Sequence, residues 1–153
     1  IDHSLRPLMG NWVYGCDVCQ EVCPWQRFSL PTRENAFSAD HIDTAAPPIR
    51  DWLALTTDTF KARYQHSPIY RIKRHRLVRN ACIVAGNSED KSLIPALTSL
   101  LNDEHPLVRA HSAWGLLQLA PYARATIKAC YERETDDDAR ADIKTTLDEH
   151  DSN

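Results

Sequence analysis

Apolar side chains recur at helical spacing through the second half of the chain, from about residue 71 to the end. Leu93, Leu97 and Leu100 lie three or four residues apart, which places them on one face of a helix. Trp114 and Leu117 continue this spacing in the next stretch. Turn-forming residues interrupt the pattern at residues 86–87, 102–106 and 121. The pattern therefore predicts a series of amphipathic helices joined by short turns.

The predicted helical region repeats itself. Residues 77–79, Leu-Val-Arg, recur as residues 107–109, and residues 139–140 give a weaker third copy. The arginines of the three copies are 30 and then 31 residues apart. A period of this length, built from helix pairs, is the signature of a helical solenoid. We therefore predict a mainly α fold, with a short HEAT-like α-helical solenoid over residues 71–153.

The repeated arginines suggest a structural role within the solenoid. Arg79, Arg109 and Arg140 occupy the same register of successive copies. A buried or inter-repeat ion pair would satisfy such a series, with an acid such as Asp103 or Asp138 as the partner. We expect Arg79 above all to be structural in this way.

The residues before the repeats follow a different pattern. Residues 29–70 carry four prolines and few long apolar runs. They read as a connector with short helices, one of them near residues 49–55, where the apolar side chains fit one face. Residues 1–28 read as a compact cysteine-rich unit. The chain thus divides into a cysteine-rich unit, a connector and a repeat domain.

Composition narrows the class of protein. The chain has 153 residues, 42% hydrophobic and 25% charged, with a formal net charge of -3 at pH 7. These values are typical of one globular domain. No run approaches the roughly 18 apolar residues of a membrane span, so we expect no membrane association. The first residue is Ile1, with no signal peptide after it. We interpret the chain as a fragment, the C-terminal part of a longer protein.

The small net charge conceals two charged regions of opposite sign. Between residues 59 and 88 there are seven Lys or Arg and no Asp or Glu. Between residues 132 and 151 there are nine acids against three Lys or Arg. We interpret the acidic stretch as a solvated terminal helix. The basic stretch predicts a local cationic face, which suits a polyanionic partner.

Five cysteines fall into two groups. Cys82 and Cys130 stand alone in apolar helical stretches, where we expect buried thiols. Cys16, Cys19 and Cys23 lie within eight residues of one another. An odd count with one tight cluster argues against a secreted disulfide framework. It favours a reducing, cytoplasmic location.

The clustered cysteines have the spacing C-x2-C-x3-C-P. This matches the last part of the bacterial ferredoxin run C-x2-C-x2-C-x3-C-P, whose fourth cysteine ligates the other cluster of a pair. The spacing favours a [4Fe-4S] cluster, with Cys16, Cys19 and Cys23 as metal ligands. It also makes residues 1–28 the C-terminal remnant of a ferredoxin-like module. Three cysteines cannot complete a four-thiolate set, so we expect the missing ligands before Ile1.

Three other uses of these cysteines remain open. A structural zinc site would need a fourth ligand, and His41 is the nearest candidate, although C-x3-C-P is an unusual zinc spacing. Cys16 and Cys19 could form a redox pair, although the βαβ pattern that normally accompanies one is absent. Unliganded buried thiols are the third alternative.

Three passages resemble one known family. Residues 8–25 resemble a cluster motif that runs G-C-D-x-C-Q-x-V-C-P-W. Residues 67–74 resemble S-P-[IL]-x-R-x-[KR]-R, and residues 79–87 resemble R-N-x(6)-G-N. Together they are similar to the C-terminal part of the epoxyqueuosine reductases. One departure is Gln26, where the family usually has Asn.

The resemblance implies the last step of queuosine synthesis, in which epoxyqueuosine in the tRNA anticodon loop is reduced to queuosine. Family members use cobalamin and two [4Fe-4S] clusters, which pass electrons to the cobalt. The resemblance implies that Cys16 and Cys19 ligate the second cluster and that Cys23 crosses to the first. Cobalamin and the catalytic acid belong to an N-terminal domain that this chain lacks. We therefore assign no catalytic residue here and expect the chain alone to be inactive.

The basic stretch fits a tRNA partner. We predict tRNA binding by four cations and one ring, namely Arg71, Lys73, Arg74, Arg76 and Tyr70. Cations on phosphates give salt-dependent affinity, and ring faces can stack on exposed bases. A solvated helix face is the alternative interpretation of the cations. We also expect an electron donor as a partner, and a monomer.

Two other functions remain open from the sequence. One is a non-enzymatic HEAT-like scaffold that binds a protein partner, with zinc held by the cysteines. The other is an electron-transfer protein with no role on RNA. Iron content distinguishes a reductase from the scaffold, which would hold zinc. Salt-dependent tRNA binding distinguishes a reductase from the electron-transfer protein, which would not bind RNA.

Overall fold

A computed structural model describes residues 1–34 and 46–151. These residues form helices and turns, with no strand among them. The α-helices are α1 Val18–Glu21, α2 Ile49–Leu53, α3 Thr57–Tyr64, α4 Arg74–Asn87, α5 Ile94–Leu100, α6 Pro106–Leu119, α7 Arg124–Arg133 and α8 Asp137–Asp151. Short 3-10 helices lie at His3–Leu5, Pro7–Met9, Pro24–Phe28, Pro68–Ile72, Lys91–Leu93 and Pro121–Ala123.

The helices of the second half stack in two layers. In the first layer α6 lies between α4 and α8 and packs against both. In the second layer α2 packs against α4, α5 packs against α6, and α7 packs against α8. This is the two-layer stacking of a helical solenoid. The prediction of a mainly α, HEAT-like repeat fold is confirmed.

The core lies between the two layers. Leu77 and Val78 of α4, Leu116 of α6 and Ile143 of α8 are fully buried. Cys82 and Cys130 are buried free thiols, as predicted. Most of the acidic C-terminal stretch forms α8, which buries one apolar face against the repeats and exposes most of its acids, whereas Glu134 in the loop before α8 is buried. Burial of one helix face, rather than helix propensity alone, stabilises these elements.

Helices α4 and α6 approach closely where each carries a glycine. A Cβ added at Gly115 would overlap the backbone carbonyl of Cys82, and one at Gly86 would lie 2.8 Å from the Trp114 ring. Neither position has room for a larger side chain. The two glycines therefore set how closely the first layer packs.

The predicted connector contributes two helices. α2 begins after Pro48 and buries Trp52 and Leu53, in agreement with the short helix predicted near residues 49–55. α3 begins with a reciprocal cap, in which the side chains of Thr56 and Thr59 each bond the backbone N–H of the other. Of the described part of the chain, no helix is both long and apolar enough to cross a membrane.

Candidate nucleic-acid interface and cysteine segment

The cysteine segment, residues 14–30, has little core of its own. Cys16 and Cys19 are exposed and Cys23 is half-buried, and all three are free thiols. Cys19 lies in the four-residue helix α1, and Pro24 starts the next 3-10 helix. The segment carries exposed apolar side chains, which are Val18, Val22, Trp25, Phe28 and Leu30. An exposed apolar patch of this kind marks a surface to which another protein domain or a ligand can bind.

The donor chemistry of the segment suits iron and sulfide. Thiolates are the soft ligands that iron–sulfur clusters and zinc select. Among the described residues, no three His, Cys, Asp or Glu side chains are arranged to hold a metal ion. His41, the alternative zinc ligand, lies outside the described residues. The thiols of Cys16, Cys19 and Cys23 have donor atoms that suit an iron–sulfur cluster or zinc, although the described structure does not gather three such donors at one point.

The chain before the cysteine segment is fastened to the repeats by amides of α4. Asn80 donates its side-chain N–H to the carbonyl of Val13 at 2.8 Å. Asn87 donates to the carbonyls of Arg6 at 2.9 Å and of Gly10 at 3.2 Å. Residues 80 and 87 are two helical turns apart and so share one face of α4. We call residues 1–13 the strap.

The strap inserts one arginine into the repeats. Arg6 is fully buried and bonds the carboxylate of Asp142 in α8. Its guanidinium also lies 5.7 Å from the centroid of the Trp114 ring. His3 bonds Asp142 at 3.2 Å and Glu149 at 2.8 Å. The strap thus touches α4, α6 and α8 and ties the cysteine segment to the first layer.

The buried groups around Arg6 have displaced protonation equilibria. Burial alone would raise the pKa of Asp142, yet hydrogen bonds from His3 and Arg6 hold it well below its usual range. Burial, followed by the nearby Arg6 charge, lowers the pKa of His111 to about 3. His111 bonds the carbonyl of Leu107 through Nδ1 at 2.9 Å. The ring is therefore neutral at pH 7 and donates through Nδ1.

The predicted tRNA-binding residues lie where the chain enters α4. Tyr70, Arg71, Lys73 and Arg76 are exposed to solvent. Helix α4 starts with basic residues, has no acid in its first turn and no side-chain cap. The positive end of the helix dipole therefore adds to the local charge.

Arg74 is the exception in the predicted set. Its guanidinium donates to both carboxylate oxygens of Asp103 and to the carbonyl of Leu55 at 2.6 Å, and only 12% of the side chain is exposed. This ion pair between repeats is the one expected of Arg79. The expectation for Arg79 is wrong, because its side chain instead bonds Asn80 at 3.0 Å.

The expected inter-repeat pair of Arg109 exists with a different acid. Arg109 bonds both carboxylate oxygens of Glu134, at 2.7 and 2.6 Å. In each pair an arginine from the first turn of one helix reaches the loop before the next helix of the same layer. The arginine of the third copy, Arg140, lies 4.9 Å from the centroid of the Tyr131 ring.

Two kinds of known protein resemble this chain: a repeat family over its helical half and a group of enzymes over most of its length. Residues 74–148 match the HEAT repeats family, so the helical half is defined as a HEAT-repeat domain. An epoxyqueuosine reductase of Escherichia coli (strain K12) is 40% identical over 119 residues, covering 77% of this chain and 31% of that protein. One of Pseudomonas aeruginosa is 39% identical over 117 residues, covering 74% of this chain and 31% of its own length.

Solved structures agree with the sequence relatives. A crystal structure of epoxyqueuosine reductase with an epoxyqueuosine-modified tRNA stem loop superposes with a TM-score of 0.86 at 27% identity, covering 96% of this chain and 40% of that one. By sequence and by fold, the chain is a relative of the epoxyqueuosine reductases, as its motifs predicted. It spans about a third of the length of the curated relatives it matches.

The strap contacts were not predicted from the sequence. Arg6 and Asp142 lie 136 residues apart, and no local pattern joins them. One signal was available, because Asn80 and Asn87 belong to a family-like motif and lie two turns apart on a helix. Two side-chain amides on one helix face can each donate to a backbone carbonyl of a neighbouring segment.

Proposed function

We propose that the chain forms part of an epoxyqueuosine reductase, an enzyme that reduces epoxyqueuosine to queuosine in tRNA. It contributes iron–sulfur ligands and a basic surface that docks the RNA. One observation carries the proposal: α4 both begins in the basic stretch and holds, through Asn80 and Asn87, the strap that leads to the cysteines. The similarity to named reductases supports the reaction.

The reaction sets what this chain has to provide. Opening an epoxide to an alkene takes two electrons and two protons and releases water. Two [4Fe-4S] clusters and cobalamin would supply the electrons and the reactive cobalt when bound. Cys16, Cys19 and Cys23 would hold iron as thiolates, Cys23 reaching the other cluster of the pair. The chain supplies no catalytic acid in this proposal, and an electron donor and a cytoplasmic location complete it.

RNA docking would use the exposed cations, with Arg74 in a supporting role. Arg71, Lys73 and Arg76 face solvent and can contact phosphates. Arg74 is taken by Asp103, so it orders the loop before α6 rather than touching RNA. The proposed RNA surface is therefore the three exposed cations with Tyr70.

Salt-dependent binding tests the RNA surface. A variant with Arg71, Lys73 and Arg76 all changed to Ala loses three charges there. A matched control changes Lys91, Lys128 and Lys144, which are exposed elsewhere. The first variant should lower the slope of log affinity for tRNA against log salt by about two to three, and the control should leave it nearly unchanged. Equal losses in both would contradict a localised docking surface.

Iron analysis tests the cysteine assignment. A chimera in which this chain replaces the matching third of the Escherichia coli relative would be purified without oxygen. We expect about eight irons with matching sulfide, as two [4Fe-4S] clusters require. Cys16→Ala, Cys19→Ala or Cys23→Ala should lower the iron content, and Cys130→Ala, at a buried thiol, should not. Zinc without sulfide would instead support a zinc-stapled scaffold.

A further inference from the structure

A cavity of about 240 Å³ lies where the connector meets α4. Its lining includes Phe60 and Lys61 of α3, Tyr70 of the 3-10 helix, His75 of α4 and His105 of the loop before α6. Cavities that enclose drug-sized ligands are larger, at about 300–1,000 Å³. This one has room for a single planar group rather than a whole cofactor.

Two pairs of stacked rings frame the cavity. Phe60 and Tyr70 stack at 5.8 Å between centroids and 16° between planes. Phe60 is buried behind Tyr70, whose own side chain is 43% exposed. His75 and His105 stack at 3.9 Å and 14°. Aromatic side chains with an exposed face are platforms on which unpaired bases stack.

The cavity rim is cationic and includes a strained residue. Lys73 has φ 67° and ψ 155°, a backbone conformation that is almost confined to glycine and costs about 1–3 kcal/mol in other residues. Strain of this kind collects at ligand sites. Lys61 adds a second cation from α3. The acid at the rim, Glu104, bonds Thr57 at 2.9 Å and lies 3.6 Å from Arg74.

The histidine pair provides a hydrogen-bond donor. His105 accepts the backbone N–H of Leu107 at Nδ1, at 3.2 Å. The backbone group can only donate, so Nδ1 of His105 carries no hydrogen and Nε2 is the donor of this ring. Burial, followed by the neighbouring His105, lowers the pKa of His75, which allows the two rings to stack without repulsion at pH 7.

We propose that this cavity binds one unpaired nucleotide of the docked RNA. The base stacks on Tyr70, and its phosphate lies against Lys61 and Lys73. The inference rests on the proposed RNA docking and adds a selection for unpaired over paired nucleotides, because a base inside a duplex has both faces covered. The proposed site would therefore recognise whether a nucleotide is unpaired, in addition to the charge of its phosphate.

The test compares two RNAs with the same stem, one ending in an unpaired loop and one continued as a duplex. Binding of each to the 153-residue chain is followed by fluorescence anisotropy. The unchanged protein should prefer the loop. Tyr70→Ala should weaken loop binding about tenfold and duplex binding much less, because a paired base has no free face for the ring, whereas Tyr70→Phe keeps the ring and the preference. Tyr122→Ala removes another exposed tyrosine, at 80% exposure, and should change neither.

The outcomes separate this site from the docking surface. If Tyr70→Ala lowers both affinities equally or neither, the nucleotide site is wrong while RNA docking stands. If the unchanged chain binds neither RNA at low salt, the docking surface itself fails and the site with it. A photoreactive uridine in the loop should cross-link to the peptide that contains Tyr70. Cross-linking only to other segments would overturn the assignment.

Discussion

The helical repeats and the cysteine segment differ in how their apolar side chains are used. In the repeats, Leu77, Val78 and Leu116 are completely buried between two helical layers. In the cysteine segment, Val22 and Trp25 are about three-quarters exposed, at 74% and 75%. The apolar residues of the repeats lie on helices of 14 residues with a second helical layer to cover them, whereas the described cysteine segment has only single helical turns. We therefore expect most of the stability of the fold to come from the repeats.

The strap shows how the less stable region is held in place. It contributes few buried apolar side chains, and its fixed points are polar: Asn80 and Asn87 on backbone carbonyls and Arg6 on Asp142. Polar contacts fix position more than they add stability, because each replaces hydrogen bonds to water. The repeats therefore act as the frame on which the cysteines are positioned.

The sharpest contrast is between two substitutions of large apolar residues. Leu116→Ala should lower the free energy of unfolding by about 4 kcal/mol, because it leaves a cavity in the core of α6. Trp25→Ala should change it by less than about 0.5 kcal/mol, because the ring is mostly in solvent. Urea unfolding followed by helical circular dichroism measures both. Similar losses in the two variants would show that the cysteine segment belongs to the core.

Breaking the buried ion pair between Arg6 and Asp142 should release the strap from the repeats. Asp142→Asn leaves the Arg6 charge buried without its carboxylate, at a cost of about 3 kcal/mol. The expected result is release of the strap, seen as faster hydrogen exchange in residues 1–13 while α4 and α6 stay protected. Asp137→Asn, at an exposed carboxylate in the first turn of the same helix, is the control and should release nothing. Unchanged exchange in the strap would contradict the role given to Arg6.

The buried histidine predicts a loss of stability in mild acid. His111 has a pKa of about 3 when folded, against 6.5 for an ordinary histidine. As the pH falls from 7 to 5, the unfolded chain takes up a proton that the folded chain does not, which lowers stability by about 2 kcal/mol. His111→Leu should remove that part of the pH dependence, whatever its effect on stability at pH 7.

Thermal or urea unfolding at both pH values, in the unchanged chain and the variant, isolates the His111 contribution. The comparison is needed because His3 acts in the opposite direction. Burial disfavours the charged ring of His3, but the hydrogen bond to Asp142 outweighs it and raises the pKa, so His3 favours folding as the pH falls. An identical pH dependence in both proteins would show that His111 is not buried as a neutral ring.

The repeats could be predicted because their signal is local and periodic. Apolar spacing and a period near 30 residues indicate helix pairs wherever they fall in the chain. The repeat copies predicted the wrong arginine for one ion pair. Helix α4 begins at Arg74, three residues before the first residue of its copy, Leu77. Helix α6 begins at Pro106, only one residue before the first residue of its copy, Leu107. Arg74 rather than Arg79 therefore reaches Asp103. Sequence spacing indicates the period of a solenoid more accurately than the start of each helix.

The cysteine segment could be predicted only in its chemistry. The spacing of Cys16, Cys19 and Cys23 indicates soft metal ligands, because it follows from short-range geometry. The attachment of the segment depends on contacts between residues more than 60 positions apart, such as Asn80 with Val13, and these leave no periodic trace. The nucleotide cavity likewise joins rings from separate elements.

Conversion of epoxyqueuosine in tRNA by the chimera that carries this chain in the Escherichia coli relative tests the proposed function as a whole. Nucleoside analysis of the tRNA should show queuosine. Conversion should fall when Cys16 and Cys19 become Ala, and should fall at physiological salt when Arg71, Lys73 and Arg76 become Ala. A folded chimera that holds iron and binds tRNA but forms no queuosine would contradict the assignment of this chain to an epoxyqueuosine reductase.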